Sequence, residues 1–147
     1  MSLTARKREQ LRLMFNGKCA YCGSDLGRGW CADHVEPIYR NWTRTVLNTM
    51  TGSVMLFPSD RPRFPERDNE ANLFPCCRPC NIHKATYSIE QWRSELAKLT
   101  GFLRRGYPTY RHALRFGQVI ETCTPIVFWF EKFREETASN EQNTTKA

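Results

Sequence analysis

The sequence predicts a small α+β domain held by a cysteine knot, with an N-terminal helix before it and a helical and β-hairpin extension after it. Three observations carry this reading. Two C-x-x-C pairs, Cys19-Ala-Tyr-Cys22 and Cys77-Arg-Pro-Cys80, lie far apart in the chain. Short extended stretches, Trp30 to Pro37 first among them, alternate with stretches of helical period. Helix starts are marked by Pro79 and by Ser88-x-x-Gln91.

The 147 residues suit one domain, and 40% hydrophobic residues suit a folded chain. We divide the sequence into a core over 1–100, an extension over 101–136 packed on it, and a polar, disordered tail over 137–147. The net charge is +7, from 22 Lys plus Arg against 15 Asp plus Glu. Arginine dominates this excess, and it pairs with phosphate bidentately, so nucleic acid is one reading of the charge; solubility alone is the other. The seven cysteines are an odd number, and Met-Ser-Leu-Thr-Ala-Arg-Lys-Arg at the start contains no apolar signal segment. The C-x-x-C pairs therefore read as metal ligands rather than a disulfide framework. The longest apolar run, Ile126 to Phe130, is far too short to span a bilayer. The expectation is a soluble protein of a reducing cytoplasm with no membrane partner.

Each element has a local reason. Thr4 to Phe15 reads as a helix, with Leu11, Met14 and Phe15 on one side and Arg6, Lys7, Arg8 and Arg12 crowding the other. That basic face is read as a solvated surface in preference to a DNA contact. Asn16-Gly17 ends the helix because both residues tolerate positive φ. Lys18 to Asp25 is a tight, zinc-knuckle-like turn, and Gly27 to Gly29 a flexible link. Trp30 to Pro37 is extended, with alternate side chains on opposite faces. The 38–71 segment is an inserted loop in which Val54 to Phe57 reads as a strand, with Thr51-Gly-Ser53 closing a hairpin before it. A helix is expected from Pro79 to Thr86, then a second from Ser88 with Ile89, Trp92, Leu96 and Leu99 on its apolar face. Gly101 and Gly106 punctuate the chain, and Pro108 to Phe116 is another helix. Val119-Ile120 and Ile126 to Phe130 read as two strands of a hairpin around Thr122 to Pro125.

Zinc takes four soft or borderline ligands in a tetrahedron, and thiolates at C-x-x-C spacing supply two from one turn. Cys19, Cys22, Cys77 and Cys80 make a Cys₄ set; the alternative is four unrelated buried or redox cysteines. Cys76 adjoins Cys77, but only Cys77 has the two-residue spacing to Cys80. Cys31, Cys76 and Cys123 are then free thiols, expected as buried small hydrophobes. A closed Cys₄ site leaves no position open to substrate, so its zinc is structural.

Between the two pairs sits Asp33-His34, and the second pair is embedded in Asn72-Leu-Phe-Pro-Cys-Cys-Arg-Pro-Cys-Asn-Ile-His-Lys84. Histidine suits proton transfer near neutral pH. Aspartate and asparagine oxygens are hard ligands that suit Mg²⁺ or another divalent ion. Neighbours in a strand point to opposite faces, so Asp33 and His34 converge only where the strand twists or bulges.

These motifs together resemble the HNH endonuclease family, specifically its ββα-metal (His-Me finger) core with a Cys₄ structural zinc. The resemblance covers Cys19 to Cys22, Asp33 to Pro37 and Asn72 to Lys84, about half of the chain by motif. It implies that His34 is the general base that activates water, and that Asp33 and Asn81 bind the catalytic divalent ion. It implies that Asn72 hydrogen-bonds the β-hairpin loop and holds His34 in its productive orientation. Arg40, Arg78 and Lys84 are the candidate nucleic-acid contacts, with Lys84 either touching phosphate or supporting the site. Asn81 fills the family's third position, which leaves His83 a minor or structural role. The segment between His34 and Asn72 is longer than in minimal members. Residues 111–131 resemble an extension found in phage-encoded relatives, which would place the protein in a host-cell cytoplasm. The implied reaction is hydrolysis of a DNA phosphodiester, leaving 5′-phosphate and 3′-hydroxyl ends. Nicking is the default for a monomer with one active site, the oligomeric state being open. The other classes are a catalytically silent zinc-containing DNA-binding module and a phage accessory protein.

Overall fold

A computed structural model describes residues 3–39, 43–58 and 63–144. Thr4 begins the first helix, α1 (Ala5–Leu13), its hydroxyl accepting the Lys7 amide at 3.3 Å. Left-handed Asn16 and Gly17 close it, as expected. The knuckle follows, with Lys18 bridged to Asp25 and the Cys19 amide donating to Ser24 O at 2.8 Å. Gly23 is required here twice over: its φ is +75°, and a Cβ would fall 2.9 Å from the Trp129 ring.

Strand β1 (Cys31–His34) is next, followed by a separate hairpin of β2 (Thr43–Leu47) and β3 (Val54–Pro58). The inserted segment thus carries the expected β3 strand and hairpin turn. Asn48 builds that turn, its side-chain oxygen accepting the amides of Met50 and Thr51. Two 3₁₀ turns, Pro65–Arg67 and Glu70–Asn72, lead into β4 (Leu73–Cys76). β4 pairs antiparallel with β1 in a one-for-one register, Asp33 opposite Phe74 and His34 opposite Leu73. No bulge interrupts this pair; β1 simply ends at His34.

Helix α2 (Arg78–Lys84) follows directly, with Pro79 in its first turn. Helix α3 (Ile89–Ala97) carries a full capping box between Ser88 and Gln91. Leu99 lies outside it and opens α4 (Leu99–Gly106); Gly101 does not interrupt this helix, whereas Gly106 is its last residue. Helix α5 (Pro108–Arg115) matches its expected span closely.

The last expected hairpin does not form. Residues 119–128 are irregular, and Ile126 to Phe130 runs into helix α6 (Trp129–Thr144). Two physical reasons are visible. The amides of Trp129 and Phe130 bond carbonyls of the knuckle turn, Tyr21 O and Ala20 O, instead of a neighbouring strand. The Glu131 carboxylate accepts the Phe128 amide at 2.8 Å, capping the start of α6. The polar tail expected to be disordered from Thr137 instead continues α6 to Thr144.

The core is aromatic. Phe15 stands edge-on to Phe74 at 5.2 Å, Tyr21 edge-on to Trp92 at 5.0 Å, and Trp92 stacks on Phe128 at 5.2 Å. Phe74 and Phe130 complete it at 5.2 Å. The 119–130 segment is tied back by the amides of Trp129 and Phe130, which donate to Tyr21 O and Ala20 O at 3.0 and 2.7 Å. The C-terminal extension therefore supplies core residues to the knuckle and to β4. No helix among the described residues is long and apolar enough to cross a membrane.

Candidate functional site

The four expected ligands come together. The sulfurs of Cys19, Cys22, Cys77 and Cys80 all lie within 4.8 Å of one another. Sulfurs about 2.3 Å from a tetrahedral zinc would be about 3.8 Å apart. Cys22 Sγ and Cys77 Sγ are 3.8 Å apart. The cluster is compatible with a zinc site. Local structure delivers it: the knuckle turn presents Cys19 and Cys22, while Cys77 caps α2 and Cys80 sits in its first turn. A hydrogen bond from the Cys80 thiol holds Cys19 down to about 4, outweighing burial, and the amides of Cys22, Cys77 and Tyr21 assist. Cys80 is pushed up by that same bond, and Cys77 by burial.

Cys76 is separate. It is fully buried in the core, and burial, followed by the nearby Asp33 charge, pushes its thiol well up. It stays a neutral hydrophobe, as expected. Cys31 is only half-buried and Cys123 is exposed, so burial does not extend to them. Cys123 lies in the irregular 119–128 segment rather than in a packed turn.

The second half of the site is a cleft of about 340 Å³ lined by Asp33, His34, Asp68, Asn81, Pro37 and Thr86 among others. It brings together Asp33, His34 and Asn81 from β1 and α2. The two strand neighbours reach it with different partners. Asp33 is 8% exposed, and its Oδ2 accepts the Tyr21 hydroxyl at 2.6 Å and the Lys84 ammonium at 3.0 Å. Burial and the Asp33 charge push the Tyr21 hydroxyl far up, so it remains a donor. His34 turns the other way, its Nε2 lying 3.0 Å from Asp68 Oδ1.

Lys84 corrects an expectation. It is completely buried, and its ammonium also donates to His34 O at 2.7 Å. A group with no exposed surface makes no phosphate contact; it supports the site by holding Asp33 and the end of β1. Arg78 is exposed on the first turn of α2. Arg40 lies outside the described residues.

Asn72 bonds the loop after β1. Its Oδ1 accepts the Glu36 amide at 2.8 Å, and its Nδ2 donates to Glu36 O at 2.8 Å and Arg67 O at 2.9 Å. The Val35 amide adds a bond to Asn72 O at 2.9 Å. His83 is turned from the cleft chemistry, its Nδ1 accepting the Trp92 indole N–H at 2.7 Å. Tyr21 and Asp68 were not singled out from sequence. Tyr21 lies inside the C-x-x-C turn, and Asp68 lies in the inserted segment, where no periodicity or motif ties it to His34.

No protein-family model matches the chain, and neither a curated protein nor a solved structure matches it.

Proposed function

We propose that this chain is a metal-dependent, HNH-type endonuclease that hydrolyses DNA phosphodiester bonds. The observation that carries the reading is the convergence of His34, Asp33 and Asn81 on one cleft of a β1–β4–α2 unit. The adjoining four-cysteine cluster supports it, taken as a structural zinc site that pins the knuckle to the start of α2.

The residues present fit a divalent ion such as Mg²⁺. Asp33 Oδ1 accepts no hydrogen bond among the described residues, and the Asn81 side-chain oxygen has only a 3.9 Å contact from Cys76 Sγ. Both are hard oxygen donors, the kind Mg²⁺ uses alongside several waters. When bound, the ion supplies positive charge to the scissile phosphate and to the leaving 3′ oxygen. His34 takes the proton from the attacking water. Lys84 and Tyr21 hold the Asp33 carboxylate by one oxygen, leaving the other for the cleft. Asn72 fixes the turn that follows His34. The net charge of +7 suits a polyanionic substrate, and exposed Arg78 is the candidate contact on α2.

One observation favours a second reading. The Asp33 charge is already matched by Lys84, which weakens its pull on a divalent ion. That suits a catalytically silent zinc-containing DNA-binding or phage accessory module. Supercoiled plasmid distinguishes the two. The endonuclease converts it to nicked circles with Mg²⁺, Mn²⁺ or Ni²⁺, leaving 5′-phosphate ends. Intact plasmid under all three ions, with salt-sensitive DNA binding retained, assigns the binding module instead.

A further inference from the structure

We infer that Asp68 is the positioning residue for His34: it fixes the ring so that Nε2 carries the proton and Nδ1 is left to accept one from water. The inference rests on the endonuclease reading above and names the residue that would prepare its base.

His34 Nε2 lies 3.0 Å from Asp68 Oδ1, the two side chains 17% and 31% exposed. An ionised carboxylate only accepts hydrogen bonds, so Nε2 must be the donor. In a neutral imidazole the other nitrogen is then a bare acceptor. His34 Nδ1 forms no hydrogen bond among the described residues, and the ring lines the cleft with Asp33 and Asn81. A base whose second nitrogen is oriented by a third group is a recurrent arrangement for proton transfer.

A carboxylate on a long inserted segment could meet a histidine by accident. Here the backbone on both sides is held. The Asn72 amide grips Glu36 and Arg67 at once, joining the segments that carry His34 and Asp68. The Arg67 guanidinium donates to Pro37 O at 3.2 Å and pairs with Glu36 at 3.7 Å. The Asp68 amide closes the preceding turn on Pro65 O at 3.0 Å. The pair therefore does not depend on two free side chains finding each other, which is what makes most exposed ion pairs weak. On this account Asn72 acts on His34 through two routes, the turn after β1 and the placement of Asp68.

The test compares the zinc-loaded full chain with Asp68→Ala and Asp68→Asn. The ¹⁵N shifts of the His34 ring, read where the imidazole is neutral, report which nitrogen bears the proton. The parent should be in the Nε2–H form. Asp68→Ala should mix the tautomers and lower the nicking kcat by about 10²-fold with KM unchanged. Asp68→Asn can turn an amide N–H towards Nε2 and favour the opposite tautomer, so it should lose at least as much kcat as the alanine variant. A merely structural role predicts the reverse order, because asparagine is the closer isostere. Zinc content and the amide spectrum establish that each variant is folded. A parent ring in the Nδ1–H form, or ring shifts unmoved by either substitution while the parent nicks DNA, overturns the inference and leaves the endonuclease reading intact. A parent that cuts nothing while the ring responds overturns the endonuclease reading and leaves the Asp68–His34 coupling standing.

Discussion

The cysteine knot and the His34 cleft hold the two ends of one short helix by different means. At the start of α2, Cys77 and Cys80 meet Cys19 and Cys22, four side chains of one kind whose geometry a single ion would set. Towards its end, Asn81 and Lys84 meet groups of several kinds, each held by bonds made once: Tyr21 and Lys84 on Asp33, Asp68 on His34, Asn72 on the turn. A metal knot tolerates variation around it because its binding energy is large and local. The cleft depends on several modest bonds, each worth about 0.5–1.5 kcal/mol net, or about 1.5–3 where a charge takes part. The knot should therefore govern whether the chain folds, and the cleft what the folded chain does.

The largest expected effect tests the knot. Structural zinc in small modules contributes about 10–16 kcal/mol of apparent binding energy that is also folding energy. One tightly held zinc per chain is expected, and strong chelation should unfold the protein cooperatively, as followed by circular dichroism and metal analysis. Cys77→Ser should lose zinc and the folded state, whereas Cys76→Ser should keep the metal. A folded, metal-free chain after chelation would remove the contrast between the two regions.

Next in size is the buried ion pair behind the cleft. Lys84→Met leaves the Asp33 carboxylate buried without its cation and should cost about 3–5 kcal/mol in urea unfolding. Adding Asp33→Asn to it should restore part of that loss, because the uncompensated charge is gone. If Lys84→Met alone is neutral, the pair is not what holds the end of β1.

His34→Ala should leave stability and zinc content close to the parent, yet lower nicking by about 10²–10⁴-fold. Asp33→Ala should lose activity by another route, one that added Mg²⁺ or Mn²⁺ partly restores, whereas the His34 variant should not respond to metal. Parental nicking by His34→Ala refutes its assignment as base.

The smallest effect concerns the segment that backs the knuckle. The Arg93 guanidinium, bonded to Glu131, holds that carboxyl below its ordinary range against partial burial. Because the folded value is depressed, the contribution is present above the unfolded carboxylate value and is lost as pH falls through the lower folded one. Glu131→Gln should cost about 0.2–1 kcal/mol at pH 7, and the difference from the parent should shrink in urea titrations towards acid pH. A difference that grows on acidification contradicts this sign.

Local signals in the chain determined a good deal. The Asn16-Gly17 stop, the Ser88–Gln91 capping box and the choice of Cys77 over Cys76 all act within one turn of backbone, so adjacent residues suffice to read them. The α+β class and the hairpin in the inserted segment were legible for the same reason. Tertiary structure alone decided the rest. Ile126 to Phe130 has the composition of a strand, yet among the described residues it finds no strand partner; its last amides bond the knuckle carbonyls while Phe128 and Phe130 pack on Tyr21, Trp92 and Phe74. Lys84 looks like any helix-end lysine until β1 folds over it and supplies Asp33 and His34 O. Asp68 reaches His34 only because Asn72 draws together two segments far apart in the chain. Caps and spacings are set by the few residues around them, whereas a buried pair exists only once the path of the intervening chain is fixed.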